Sequence, residues 1–90
     1  MNERRWQRLP DFVSTEPEGS HVIFSIASGN YIALNSSANA IWEALADPVS
    51  EATLVDVLAG RYEVDRETAA AAVTRTLRSL AELELVKAAA

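Results

Sequence analysis

Ninety residues, 49% of them apolar and 23% charged, describe one thin-cored globular domain spanning residues 1–90, and a chain of this size buries roughly 60–65% of its unfolded surface. Eight basic against thirteen acidic side chains leave a net charge of −5, the wrong sign for a protein whose affinity comes from neutralising phosphates. The absence of cysteine excludes disulfides, thiolate metal sites and cysteine nucleophiles, makes the cytoplasm the default location, and no apolar run approaches the ~20 residues of a membrane span.

The first eight residues read as an N-terminal arm. Arg4, Arg5 and Arg8 flank Trp6, which either packs against the sheet or lies in a mobile arm; no apolar stretch follows that would make a signal peptide. Phe12–Thr15 reads as a short strand, and Glu16-Pro17-Glu18-Gly19-Ser20 as a turn. Val22, Phe24 and Ile26 alternate with Ile23 and Ser25, the period of a strand with one buried face. Ser28-Gly29-Asn30 is a tight turn, because Gly and Asn both accept positive φ. A third strand, Tyr31–Leu34, follows at once. Three strands on short turns form an antiparallel meander whose first and third members are edges.

The period then becomes helical. Asn35 or Ser36 can cap a helix whose Ala38, Ile41, Trp42 and Leu45 form one apolar stripe. Asp47-Pro48 ends it. Ser50 caps a second helix, with Leu54, Val57 and Leu58 inward and Tyr62 continuing the stripe. Asp65 caps the third and longest, with Glu67 favourably placed in its first turn. Ala69, Val73, Leu77 and Leu80 line its inner side, and Arg75 and Arg78 point away. Leu85 and Val86 close the chain ahead of a C-terminal tail, residues 87–90, that ends in three alanines. The expected class is α+β: a three-stranded antiparallel β-meander followed by three helices, winged-helix-like.

Catalytic chemistry has little to work with. His21 is the only histidine, no carboxylate cluster joins it for zinc, and no Ser-His-Asp pattern or glycine-rich phosphate loop is present. Glu82 and Glu84 read as solvated charges. Trp42, on an apolar stripe, reads as core. A winged helix would use the third helix to read DNA, but Arg66, Arg75 and Arg78 stand there against Asp65, Glu67, Glu82 and Glu84 around an alanine run. A groove-reading helix needs a denser donor face.

The third strand carries no charge or proline, the usual protection of a sheet edge. Either the third helix or the N-terminal arm covers it, or it stays open to accept a peptide as an added strand. Both readings stand at this point.

Three segments bear a family resemblance. Gly29-Asn30-Tyr31-Ile32-Ala33-Leu34-Asn35, running on through Ala38 to Ile41-Trp42, resembles a pattern of glycine, tyrosine, Leu-Asn, alanine and an Ile-Trp pair. Leu58-Ala59-Gly60-Arg61-Tyr62-Glu63-Val64-Asp65 resembles a second signature, and Leu80-Ala81-Glu82-Leu83-Glu84-Leu85 a closing Leu-x-x-Leu-Gly-Leu. In order and at these spacings they are similar to the PqqD-like family, the precursor-peptide recognition elements of ribosomally made, post-translationally modified peptides. The resemblance implies a non-catalytic chaperone without cofactor or metal. Such a protein binds a precursor's leader peptide as an extra strand and hands it to a maturation enzyme, such as a radical S-adenosylmethionine enzyme or a lasso-peptide leader peptidase. Carried over, the groove is formed by Asn30, Tyr31, Ile32, Ala33 and Leu34 on one side and by Val73, Leu77, Arg78 and Ala81 on the other. The chain departs from the pattern at Glu84, where the family has glycine, so the third helix is expected to end differently or run further. The alternative class is a winged-helix regulator binding DNA or protein, which a salt titration separates; a structural adaptor without a peptide ligand is a third.

Overall fold

A computed structural model describes residues 4–16 and 21–89. The elements run β1 (Arg5–Arg8), β2 (Phe12–Thr15), β3 (His21–Ser25), β4 (Tyr31–Leu34), α1 (Ser36–Ala44), β5 (Val49–Ser50), α2 (Glu51–Tyr62), α3 (Arg66–Glu82) and β6 (Val86–Ala89). The expected meander is the sheet β2-β3-β4, antiparallel throughout. The turn expected between β2 and β3 falls at 17–20, outside the described residues. The β3–β4 turn occupies 26–29, beginning two residues and ending one residue earlier than expected, with Gly29 at φ +76°, where a Cβ would be strained.

Each helix begins where a short polar side chain can satisfy a free amide. Asn35 accepts from the Ala38 N–H at 2.8 Å, Ser50 from Thr53 at 3.2 Å and Asp65 from Thr68 at 2.7 Å. Asn35, not Ser36, is therefore the first cap. The stripes converge on one core in which Ile23, Ile41, Trp42, Leu54, Leu58, Val73, Leu77, Leu80 and Leu85 are buried. In α2, Val55 is buried while Val57 is only half-buried, and Tyr62 is exposed, its hydroxyl donating to the Ser36 carbonyl at 3.0 Å.

The ends of the chain depart from the sequence reading. Residues 5–8, expected as part of an N-terminal arm, are β1, and 86–89, expected largely as a tail, are β6. The two pair antiparallel from Arg5↔Ala89 to Arg8↔Val86, and Leu9 N–H extends the ladder to the Leu85 carbonyl at 2.8 Å. β5 adds two residues on the other side of β1, giving a second sheet, β5-β1-β6. Trp6 lies in this second sheet, half-buried against the core and donating from Nε1 to Glu51 at 3.2 Å.

The end of α3 is the other correction. The helix neither runs on nor finds a new kind of ending: Glu84 takes the left-handed conformation itself, at φ +58°. Leu85 N–H bonds the Leu80 carbonyl at 2.9 Å and Glu84 N–H the Ala81 carbonyl at 3.0 Å. That is the paired bonding of a glycine-type helix stop, completed by the burial of Leu80 and Leu85. The glycine-type ending is kept without the glycine.

Candidate functional site

β4 lies at the end of its sheet, with β3 as its strand neighbour. Among the described residues neither expected cover lies there: residues 5–8 of the arm pair with β5 and β6, and α3 packs mainly on α2, α1 and β6, while α1 is the helix that packs on β4. Among the described residues, no strand pairs with the outer side of β4.

The ladder decides which groups face that open side. Ser25 N–H donates to the Asn30 carbonyl at 2.8 Å, so these two form a hydrogen-bonded pair. In an antiparallel ladder such pairs alternate with non-bonded ones. Following the register Phe24↔Tyr31, Ile23↔Ile32, Val22↔Ala33 and His21↔Leu34, Ile32 and Leu34 turn their backbone groups toward β3. Tyr31 and Ala33 turn theirs outward. The edge therefore offers the amides and carbonyls of Tyr31 and Ala33, two residues apart, the spacing at which an extended chain presents its own groups to one side. Side chains alternate as well: Ile32 and Leu34 share the core-facing side with Ile23, whereas Tyr31 and Ala33 stand on the exposed face.

The residues expected on α3 divide in two. Val73 and Leu77 are 1% and 2% exposed and belong to the core. Leu77, together with exposed Arg78 and half-buried Ala81, lines a cavity of about 430 Å³ whose other walls are Trp6, Glu51, Thr74 and Glu82. The structure thus gathers Asn30–Leu34 along one edge, and Leu77, Arg78 and Ala81 beside the second sheet. Trp6, Glu51, Thr74 and Glu82 were absent from the sequence reading of this wall, Glu82 having been read as a solvated charge. Thr74, which follows Val73 on the helix, is within reach of periodicity; Trp6 and Glu51 arrive only through the long-range pairing of β1 with β5.

One polar cluster was also illegible in sequence. Ser14 Oγ lies 2.6 Å from His21 Nε2, and His21 Nδ1 contacts Asn39 Oδ1. The order of hydroxyl, imidazole and orienting amide outlines a hydrolase triad, but such a triad also needs donors aimed at an oxyanion beside the nucleophile. Among the described residues, the cavities along α3 do not border it. What the cluster does is tie β2, β3 and α1 together through hydrogen bonds. Among the described residues no group of three His, Cys, Asp or Glu could hold a metal ion, and no helix is long and apolar enough to cross a membrane.

An α+β unit of two small antiparallel sheets and three helices, with the outer edge of β4 unpaired among the described residues, is the class that these features define. The chain belongs to the PqqD family: the family model of Coenzyme PQQ synthesis protein D (PqqD) matches residues 20–86. Two solved structures are similar over nearly the whole length. One, "TbiB1 in Complex with the TbiA(beta) Leader Peptide", is 27% identical with a TM-score of 0.78, covering 93% of this chain and 98% of that one. The other, "Lasso peptide synthetase B1 complexed with the leader peptide", is 27% identical with a TM-score of 0.77, covering 91% and 96%. No curated protein sequence matches significantly.

Proposed function

We propose that this protein is a non-catalytic recognition element that binds the leader of a ribosomally made precursor peptide as an added strand along β4 and presents it to a maturation enzyme in the cytoplasm. The observation that carries the reading is the unpaired edge of β4, with the backbone groups of Tyr31 and Ala33 facing outward. Strand addition draws affinity from such main-chain bonds and selectivity from the side-chain surroundings. The two similar structures, both described as leader-peptide complexes, support the choice of ligand. Asn30–Leu34 form one wall in this reading, and Arg78 and Ala81 flank the bound segment on the α3 side, with Leu77 at the base of that side and Val73 supporting it from the core. The partner enzyme is of the kind that family members serve, a radical S-adenosylmethionine enzyme or a leader peptidase.

The test is calorimetric titration of the full chain with the leader segment of the precursor encoded beside its gene, paired with amide exchange. Binding should slow exchange at Tyr31 and Ala33. Binding that leaves both amides unprotected removes strand addition. A DNA-binding reading has less to rest on, since Arg66 of α3 already pairs with Asp56 at 2.5 Å and the net charge opposes phosphate.

A further inference from the structure

The outer face of the meander carries a row of large apolar side chains where a water-facing sheet ordinarily carries polar ones. The register Val13↔Phe24 and Phe24↔Tyr31 sets these three side by side across β2, β3 and β4. They are 54%, 41% and 69% exposed, with the middle residue best covered and the edge residue least. The next row along the same face, Thr15, Val22 and Ala33, has a single large apolar member, the half-buried Val22, and ends at the edge in the small Ala33. Cross-strand neighbours on one face are the unit that stabilises a sheet. The first row stops at Tyr31 because, among the described residues, β4 has no outer neighbour.

The geometry points to a specificity determinant for the bound peptide: one leader residue, the one placed opposite Tyr31, is aromatic or β-branched and completes the row Val13–Phe24–Tyr31 on the outer face. This inference rests on strand addition at β4 and goes beyond it, because it assigns recognition to the face of the sheet turned away from the helices. The period of a strand fixes the rest. Residues next to the selected one turn to the inner side, beside Ile32. The outward residue two places along, opposite Ala33, has a small neighbour and so tolerates many side chains. The occupant is the leader itself rather than a separate protein, because the row is continuous with the open edge: Tyr31 supplies both the outermost side chain and an outward-facing backbone amide.

The experiment selects an mRNA-displayed library of random 15-residue peptides on the full-length protein, on Tyr31→Lys and on Val13→Lys. Both substituted side chains are exposed, and a melting curve checks each fold. Selected peptides are then mapped by amide exchange. The expected result is an enrichment of aromatic and β-branched residues at a single position, worth about two- to fivefold in Kd. On Tyr31→Lys that position should switch to Asp or Glu, while on Val13→Lys, two strands from the edge, the profile should stay as it is. An unchanged profile on Tyr31→Lys, with Tyr31 and Ala33 amides still protected, overturns the row while leaving strand addition intact. A profile that shifts equally on Val13→Lys overturns it too, pointing to a partner that covers the whole face, such as a second copy. Selected peptides that protect neither amide remove strand addition, and the inference with it.

Discussion

The guanidinium of Arg8 sits 4.2 Å from the Trp42 ring centroid, and its Nε donates to the Trp42 carbonyl at 3.1 Å. One side chain from β1 thus holds both the ring and the backbone of a residue in the last turn of α1. That turn has no basic residue of its own, so Arg8 supplies from a distant strand the cation that helix C-termini favour. Phe12 completes the arrangement, meeting the Trp42 ring edge-on at 5.0 Å. Burial pushes the Arg8 pKa down from its ordinary value, and Glu43 opposes the shift.

Arg8→Ala should therefore destabilise the fold by about 1–3 kcal/mol, through the loss of charge-assisted hydrogen bonds and the cation–π contact. Arg8→Lys should recover only part of this, since an ammonium lacks the planar fork. Trp42→Ala should cost more, about 3–5 kcal/mol, because Trp42 is only 1% exposed. Urea midpoints of the three variants check the order. An Arg8→Ala protein as stable as wild type would contradict it.

Proline separates the two roles of β4. Ile32→Pro removes an N–H directed at β3 and should unfold or strongly destabilise the domain. Tyr31→Pro and Ala33→Pro remove N–H groups directed outward, so both should fold and bind the leader at least tenfold more weakly. Far-ultraviolet dichroism and calorimetry read the two effects separately. Wild-type affinity in both folded variants would end the strand-addition model.

Glycine and glutamate stand at each other's best positions. Glu84 occupies a left-handed site that costs an L-residue about 1–2 kcal/mol, of which glycine's extra chain entropy takes back roughly 0.5–1 kcal/mol. Glu84→Gly should stabilise the protein by up to about 1 kcal/mol. Gly60 lies inside α2, where an added Cβ meets nothing within 4 Å, so Gly60→Ala should add about 0.5–1 kcal/mol. Thermal melts of the single and double variants test both, and the two gains should add because the sites are independent.

The cap of α3 is pH-sensitive in a defined direction. Hydrogen bonds from the Thr68 backbone N–H, and then from its side chain, hold the Asp65 carboxyl below its ordinary value. The folded-state pKa is thus lower than the unfolded one, so the cap's contribution is complete at neutral pH and is lost as pH falls through the folded value. Asp65→Ala should melt below wild type at neutral pH. The gap should narrow as pH drops below about 4. A gap that is constant across that range would show the carboxylate's charge to be irrelevant.

Arg78→Glu reverses the charge of an exposed residue beside Trp6 and Ala81. It should leave the melting temperature within about 2 °C of wild type, as exposed substitutions do, and weaken leader binding. An unchanged affinity would confine the site to the sheet edge.

The meander and the three helices were legible because their signals are local. Alternation marks β3, the i, i+3, i+4 stripe marks α1, and Asn35, Ser50 and Asp65 announce their helices. The second sheet was not, because Arg5–Arg8 is a charged run with one large apolar side chain and Val86–Ala89 is half alanine. Neither favours a strand by itself, and only pairing across some eighty residues makes them one. In the candidate site, the edge of β4 could be read as a segment without protection, yet whether it was covered depended on where the arm went. The parity of its backbone groups came from one bond, Ser25 to Asn30, which fixes the phase of the whole ladder.

The pairing of β1 with β6 also sets the mechanical character of the domain. Arg5 and Ala89 face each other at the outer end of the ladder, so a pull on the two ends loads its hydrogen bonds one after another, as in a zipper, rather than all together in shear. The ladder should open from Arg5 inward, through Trp6 and Gln7, until tension reaches Arg8 and draws its guanidinium off Trp42. Resistance to force is then low until that clamp is reached. The first event in a pulling trace is the loss of the second sheet, with β2-β3-β4 and its open edge still folded.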